Sequence, residues 1–96
     1  MSRYAFRLRC PNDLAGLDDE FTLLYFCAEV GSNSPDTIEL HDILRRRRSL
    51  ARSPYPALKL AEVRVGGKIS IWSRTYAVTG FADESTRAAL GGDDDL

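Results

Sequence analysis

The stretch from Ser34 to Arg52 constrains the fold of this chain most, because it begins with acids and ends with a run of four arginines. Ser34 can cap a helix, and Pro35 suits the first helical turn, where its missing N–H costs nothing. Apolar residues recur at helical spacing along the stretch, and its two charged ends match the poles of a helix dipole. Because Pro54 disfavours helical geometry in the residue before it, the pattern predicts one helix that ends near Arg52.

The arginines of this predicted helix allow three interpretations. They can form a solvated face that complements the dipole, a surface that binds the phosphates of nucleic acid, or a basic face for an acidic protein partner. If they bind nucleic acid, the affinity must fall steeply as the salt concentration rises. The arginines expected to point away from the core are Arg45, Arg46, Arg48 and Arg52.

Charge is segregated along the chain, although the formal net charge is only −1. Residues 10–44 carry eight acids and no Lys or Arg, whereas residues 45–74 carry nine Lys or Arg and one acid. The local patch, rather than the total charge, decides whether a polyanion binds. The hydrophobic content of 44% supports one modest core, so we expect one domain over residues 1–91 and a disordered acidic tail over residues 92–96.

Neither a membrane-spanning run nor a secretory signal is evident in the sequence, which favours a soluble, cytoplasmic protein. Cys10 and Cys27 are too few for a disulfide framework, and Cys27 would be a buried thiol within an apolar helix. Spacing alone allows a bridge between the two cysteines, but reduced thiols fit the expected compartment better. No feature of the sequence determines the oligomeric state.

The first third of the chain predicts a strand followed by a helix. Residues 3–9 alternate apolar and basic side chains, as a half-buried strand does. Residues 19–30 are apolar on most sides of a helical wheel, so they predict a core helix that Asp18 or Asp19 caps and Gly31 ends. The short link to the arginine stretch favours an antiparallel or crossed pair of helices.

Side-chain parity predicts a three-stranded antiparallel meander in the second half of the chain. Gly66-Gly67 is a turn signal, and a three-residue loop there keeps the apolar residues of both flanking strands on one face. A second turn, from Trp72 to Thr75, does the same for the third strand. The predicted strands cover residues 62–65, 69–71 and 76–80.

Two further segments complete the predicted fold. Residues 54–61 break the parity of the meander and can form either a short helix or a bulged strand. Asp83 can cap a last helix from Glu84 to Leu90, which Gly91 ends. The expected fold class is α+β, with an N-terminal strand that joins the meander, two helices, a three-stranded antiparallel meander and a short C-terminal helix. This order of elements is compatible with a winged-helix arrangement.

The sequence favours a small regulatory protein that binds nucleic acid without catalysis. In this hypothesis the arginine helix contacts phosphates, and the predicted hairpin adds a second contact, as a wing does. The alternative is a protein-binding adaptor or inhibitor that uses the segregated acidic and basic faces. The adaptor hypothesis gains if Asp36, Glu39 and Asp42, or the acids at positions 83–84, neutralise the arginines in space. The candidate nucleic-acid-binding residues are Arg45, Arg46, Arg48, Arg52, Lys68, Trp72 and Arg74.

The chain carries no recognisable catalytic, metal or cofactor motif. Its one histidine, His41, lies beside Asp42 in the predicted helix, and a surface position is commoner for a lone histidine than a role as general base. The two cysteines lack the CxxC spacing of a metal site, and Gly66-Gly67 lacks the strand–loop–helix context of a phosphate loop. We therefore expect no catalytic residues, no metal and no cofactor.

Overall fold

The computed structural model describes residues 2–12, 17–31 and 33–91. An antiparallel sheet of six strands dominates this part of the chain, and one short helix follows it. The elements are β1 Ser2–Asn12, β2 Leu17–Cys27, β3 Thr37–Asp42, β4 Arg47–Pro54, β5 Lys68–Ile71, β6 Arg74–Phe81 and α1 Glu84–Leu90, with a 3₁₀ turn at Leu60–Glu62. Their order across the sheet is β4-β3-β2-β1-β6-β5, so β4 and β5 are its two edges.

The predicted N-terminal strand is confirmed as β1, one of the two middle strands of the sheet. Phe6 and Leu8 are buried on the inner face, whereas Arg7 and Arg9 are exposed on the outer face. β1 pairs with β2 along its whole length and with β6 from Phe6 to Arg9. The expectation that the first strand joins the later strands is therefore also confirmed.

The predicted core helix over residues 19–30 is wrong, because this segment is β2. Phe21, Leu23 and Tyr25 are buried, and the residues between them are half-buried on the outer face. A run that is apolar at nearly every position fits a period of 3.6 as well as a period of 2. Pairing with β1 on one side and β3 on the other supplies the backbone hydrogen bonds that select the strand.

The predicted helix over residues 34–52 is also wrong, and with it the arginine-rich helix. Instead, β3 runs to Asp42, a turn covers residues 43–46, and β4 begins at Arg47. Ile38 and Leu40 are buried while the residues on either side of them are half-buried, which is the alternation of a strand. The helical spacing was coincidental, because the apolar residues belong to separate elements. Leu40 on β3 pairs with Leu50 on β4, whereas Ile43 and Leu44 lie in the turn between the strands.

The predicted meander is confirmed in its last two strands and wrong in its first. Residues 69–71 and 76–80 lie within β5 and β6, whereas residues 62–65 belong to the 3₁₀ turn and the loop after it. A two-residue turn, Trp72-Ser73, joins the strands and pairs Ile69 with Tyr76. The predicted four-residue turn is wrong in register, although it assigns the buried residues to the correct face.

The C-terminal helix is confirmed with its predicted ends. The Asp83 carboxylate accepts a hydrogen bond from the backbone N–H of Thr86, and Gly91 is the C-terminal cap. The Thr86 hydroxyl in turn accepts from the backbone N–H of Ala5 at 2.8 Å, which ties the helix to β1. The predicted α+β class and its winged-helix arrangement are wrong, because both need the two earlier helices that form strands of one antiparallel sheet instead.

The core fills the inner face of the sheet and is closed by the segment that follows β4. Residues 54–61, for which the sequence allows a short helix or a bulged strand, run from the end of β4 through a loop into the 3₁₀ turn. Leu58 in this loop and Val63 just after the turn are buried against the sheet. The Tyr25 hydroxyl donates to the Asp36 carboxylate at 2.7 Å and also lies 3.1 Å from the Leu58 carbonyl oxygen. The core residues are Phe6, Leu8, Cys10, Phe21, Leu23, Tyr25, Ile38, Leu40, Leu58, Val63, Ile69, Ile71, Tyr76 and Val78.

Cys10 and Cys27 take part in no disulfide. Cys10 is buried and faces Asp19 across β1 and β2, whereas Cys27 lies at the far end of β2 opposite Ser2. The possible bridge between them is therefore absent. Cys27 is half-buried on a strand rather than buried in a helix, and burial raises the pKa of its thiol.

No helix among the described residues is long and apolar enough to cross a membrane. The predicted acidic tail over residues 92–96 lies outside the described residues.

We expect Gly91→Ala to lower the free energy of unfolding by about 1 kcal/mol, because a methyl group added there overpacks the site. A Cβ at Gly91 would lie 2.7 Å from Cε2 of Phe81 and 3.1 Å from the Arg87 carbonyl oxygen. Urea denaturation of both proteins measures the difference. Ala89→Gly, on the exposed part of the same helix, controls for helix propensity. An unchanged midpoint for Gly91→Ala would mean that the Phe81 ring moves aside without cost.

Candidate functional site

The predicted site residues fall into two groups at opposite edges of the sheet. Arg45 and Arg46 occupy the turn before β4, and Arg48 and Arg52 lie on β4 itself. The other predicted residues, Lys68, Trp72 and Arg74, belong to the hairpin of β5 and β6. Strand order does not separate the two groups completely, because Arg45 and Arg74 both approach the pair formed by Cys10 and Asp19. The Arg45 guanidinium lies 3.8 Å from the Asp19 carboxylate, and Cys10, whose sulfur lies 3.3 Å from the Arg74 guanidinium, pairs with Asp19 across β1 and β2.

The first group centres on the turn over residues 43–46; this turn together with Arg47 and Arg48, the first two residues of β4, is called the arginine turn (residues 43–48). The pair Asp42 and Arg47 closes it, and the backbone N–H of Ile43 donates to the Glu20 carbonyl oxygen at 3.0 Å. Arg46 has a φ of 53°, so the turn holds a non-glycine residue in the left-handed region. The tertiary hydrogen bond to β2 fixes the position of the turn.

Within the arginine turn, Arg45 has a structural role. Its backbone N–H and its guanidinium donate to the buried Asp42 carboxylate at 3.1 and 2.7 Å, and its guanidinium lies 3.8 Å from Asp19. Burial raises the pKa of Asp42, but the two hydrogen bonds from Arg45 and the charges of Arg45 and Arg47 outweigh it, so this pKa lies below its usual range. Arg45 is thus partly neutralised by Asp42 and Asp19, whereas the Asp36 and Glu39 carboxylates bind Tyr25 and His41 instead. The condition that favours the adaptor hypothesis is therefore met only by Asp42.

The rest of the arginine turn combines exposed cations with exposed aliphatic side chains. Arg46, Arg47 and Arg48 are all exposed. Ile43 and Leu44 are 45% and 60% exposed, although their side chains are large and apolar. An open groove of about 530 Å³ runs along the turn and is lined by His41, Asp42, Ile43, Arg46, Arg47 and Arg48.

β4 is an edge strand, and two shifts in register interrupt its pairing with β3. Two successive pairs between these strands are His41 with Arg48 and Leu40 with Leu50. The pairs are one residue apart on β3 but two residues apart on β4, so Ser49 lies opposite no residue of β3. A second shift in register follows further along the strand. Bulges and charged side chains are common protections of an edge strand, because they disfavour pairing with another chain.

Arg52 lies beyond the arginine turn and packs on the outer face of the sheet. Its guanidinium carbon lies 4.0 Å from the ring centroid of Phe26, and its Nε donates to the Thr37 hydroxyl at 2.9 Å. Both neighbours belong to the adjacent strands β2 and β3. Because stacking and hydrogen bonding engage this guanidinium, Arg52 contributes to the fold as well as to the charge of the surface.

The second predicted group, on the β5–β6 hairpin, is itself divided. The Arg74 guanidinium lies 3.3 Å from the Cys10 sulfur and packs near the rings of Phe21 and Tyr76. Trp72 is 61% exposed, with its ring centroid 5.3 Å from that of Tyr55. Lys68, at the other end of β5, is exposed.

The one histidine, His41, has a carboxylate neighbour on its own strand. His41 and Glu39 lie two residues apart on the outer face of β3, and the His41 Nε2 is hydrogen-bonded to a Glu39 carboxylate oxygen. In the described part of the chain, no group of three or more His, Cys, Asp or Glu side chains is arranged to hold a metal ion. His41 borders the groove of the arginine turn, where a carboxylate partner holds it.

Ile43 and Leu44 are the residues of this surface that sequence reasoning missed. The helix interpretation assigned them to a buried face, since they lie at helical spacing from Leu40 and Leu50. The available signal was the alternation of Thr37 to Asp42, which predicts a strand that ends just before them. A turn after that strand exposes both side chains.

Comparison with known proteins gives a partial match. The chain is 28% identical over 89 residues to nucleoside diphosphate kinase homolog 7 of Rattus norvegicus, and the match covers 93% of this chain. The protein of the same name from Mus musculus is 28% identical over the same length. The chain spans about a fifth of the length of these relatives, since the match covers 21% of each. No protein-family model matches the chain.

Proposed function

We propose that this protein is a non-enzymatic binding module that recognises an acidic segment of a partner protein through the arginine turn. The observation that carries the proposal is the exposure of Ile43 and Leu44 beside Arg46, Arg47 and Arg48. Exposed apolar side chains next to cations mark a surface that buries both kinds of group on binding. An acidic segment with interspersed apolar residues complements both.

The same observation favours a protein partner over nucleic acid. A phosphate backbone is bound mainly through cations, and contacts to it bury little aliphatic surface. Asp42 and Asp19 also lie within 4 Å of Arg45, which lowers the local positive potential. The nucleic-acid hypothesis still has the exposed arginines in its favour and is therefore an arm of the test below.

A catalytic role has less support than a binding role. The one histidine is hydrogen-bonded to Glu39. The relatives, whose name includes a kinase, are longer proteins, and the match covers about a fifth of their length. We also propose a cytoplasmic location, since a chain whose two thiols form no disulfide suits a reducing compartment.

The test is a fluorescence anisotropy titration with a labelled Glu-rich peptide that contains leucines. We expect salt-sensitive binding that Arg46→Ala/Arg48→Ala weakens by about tenfold or more, which corresponds to about 1.4 kcal/mol. Arg45 is left intact in this variant because its loss would disturb the Asp42 contacts. Ile43→Ser/Leu44→Ser should remove the preference for the leucine-containing peptide over poly-glutamate of the same length.

Arg64→Ala/Lys68→Ala is the matched control, since it removes the same charge from exposed positions on and before β5. It should leave binding nearly unchanged. Equal losses in both double variants would show that net charge, rather than the arginine turn, drives binding, and would reject the proposal. Tighter binding to duplex DNA or single-stranded RNA, lost in Arg46→Ala/Arg48→Ala, would replace it with the nucleic-acid function.

A further inference from the structure

Ser49 has an unusual position directly after the arginine turn. It is exposed on the edge strand β4, and the bulge there leaves it opposite no residue of β3. Its side chain is therefore accessible, and its backbone is not part of a regular ladder pair. A modifying enzyme has to reach a hydroxyl in an extended and accessible segment, and Ser49 meets both conditions.

Three arginines precede this hydroxyl in the sequence. Arg46, Arg47 and Arg48 stand three, two and one positions before Ser49, and all three are exposed. Many protein kinases select their substrates by charge pattern, and carboxylates on a kinase bind guanidinium groups with bidentate geometry. The arrangement therefore fits a kinase that prefers arginine before the phosphorylated serine.

We propose that Ser49 is a phosphorylation site for an arginine-directed protein kinase, and that its phosphate switches off the arginine turn. The co-reactant is ATP. The Ser49 Oγ attacks the γ-phosphorus, the new O–P bond forms, the bond to the β,γ-bridging oxygen breaks, and ADP leaves. The hydroxyl proton passes to the catalytic carboxylate of the kinase.

The expected consequence follows from charge. A phosphoserine carries a charge of about −1.5 to −2 at neutral pH and offers three acceptor oxygens. Placed directly after Arg46, Arg47 and Arg48, it can pair with their guanidinium groups and offset most of their positive charge. An acidic partner segment would then meet a neutralised surface. This consequence rests on the proposed function, whereas the modification of Ser49 does not.

Other serines near basic residues fit less well. The Ser53 hydroxyl donates to the Ala51 carbonyl oxygen at 2.7 Å, the residue is half-buried, and Leu50 stands three positions before it. Ser73 is exposed at the β5–β6 turn but follows Trp72 rather than arginine. Ser49 alone among these three combines exposure with the preceding arginines.

The first arm of the test incubates the folded protein with ATP and the catalytic subunit of cyclic-AMP-dependent protein kinase, followed by peptide mass spectrometry. We expect one phosphate, on Ser49. Ser49→Ala should remove it, Ser53→Ala should leave it unchanged, and Arg46→Ala should slow labelling by about tenfold. Equal labelling of Ser49→Ala, or labelling of the wild type only after urea is added, would overturn the site.

The second arm compares the phosphorylated and unmodified proteins in the titration with the Glu-rich peptide. We expect phosphorylation to weaken binding by about tenfold or more. Labelled Ser49 with unchanged peptide affinity would overturn the switch. If the unmodified protein does not bind the peptide at all, the proposed function fails while labelling still decides the modification site. The two failures are therefore distinguishable.

Discussion

Asp36→Ala is expected to lower the free energy of unfolding by about 3 kcal/mol, because it removes two hydrogen bonds to a charged acceptor. The Asp36 carboxylate accepts from the Tyr25 hydroxyl and from the backbone N–H of Ala28, each at 2.7 Å. These bonds join the end of β2 to the start of β3 and hold a fully buried tyrosine in place. Urea denaturation of the two proteins measures the loss.

Asp36→Asn is the matched control, since an amide oxygen can still accept one of the two bonds. We expect it to lose clearly less stability than Asp36→Ala. Equal losses in both variants would show that charge, rather than acceptor geometry, dominates. No loss in either would contradict a role for this contact in joining the strands.

The stability that Asp36 supplies should also depend on pH. The backbone hydrogen bond from Ala28 and the hydroxyl of Tyr25 hold the pKa of Asp36 below its usual range. The contribution is therefore complete above the unfolded-state pKa of about 3.9, and it is lost as pH falls through the lower folded-state pKa. Wild type and Asp36→Ala should differ most at neutral pH and converge in acid.

Asp42→Ala is the second substitution with a large expected effect, a loss of about 3 kcal/mol in the free energy of unfolding. The Asp42 side chain is only 6% exposed and organises the arginine turn through both hydrogen bonds from Arg45. Its removal leaves the Arg45 backbone N–H without this acceptor and opens space at the end of the core. Thermal and urea denaturation measure the loss.

Single substitutions of the arginines distinguish the structural role of Arg45 from the proposed binding role of Arg46 and Arg48. Arg45→Ala should destabilise the protein, whereas Arg46→Ala and Arg48→Ala should stay within about 0.5 kcal/mol of the wild type. In a double-mutant cycle, Asp42→Ala and Arg45→Ala should show coupling, since each removes the same contact. If Arg46→Ala were as destabilising as Asp42→Ala, the contact between Asp42 and Arg45 would not be the main support of the turn.

Arg45 has to be tested separately from Arg46 and Arg48. A triple substitution that includes Arg45 would confuse unfolding of the turn with loss of binding, because Arg45 holds the buried Asp42 carboxylate. The exposed Arg46 and Arg48 can be changed without that cost. The same turn exposes Ile43 and Leu44, so the aliphatic and cationic parts of the proposed surface can be tested apart.

Several local features of the fold follow from the sequence alone. The alternation of residues 3–9 predicts β1, because one face is apolar and the other basic. The Asp83 cap and the buried faces of β5 and β6 are predicted correctly for the same reason: each depends on residues close together in the chain. In the candidate site, the sequence identifies the exposed Arg46 and Arg48 but not Ile43 and Leu44.

Only the tertiary structure decides between helix and strand for residues 19–30 and 34–52. Both segments have apolar residues at positions that suit either period, and local propensity is a weak determinant there. The choice depends on hydrogen bonds from β2 to β1 and β3, and from β3 to β4, which join residues distant in sequence. Those pairings turn a predicted arginine helix into a turn and an edge strand, and they decide which side chains meet solvent.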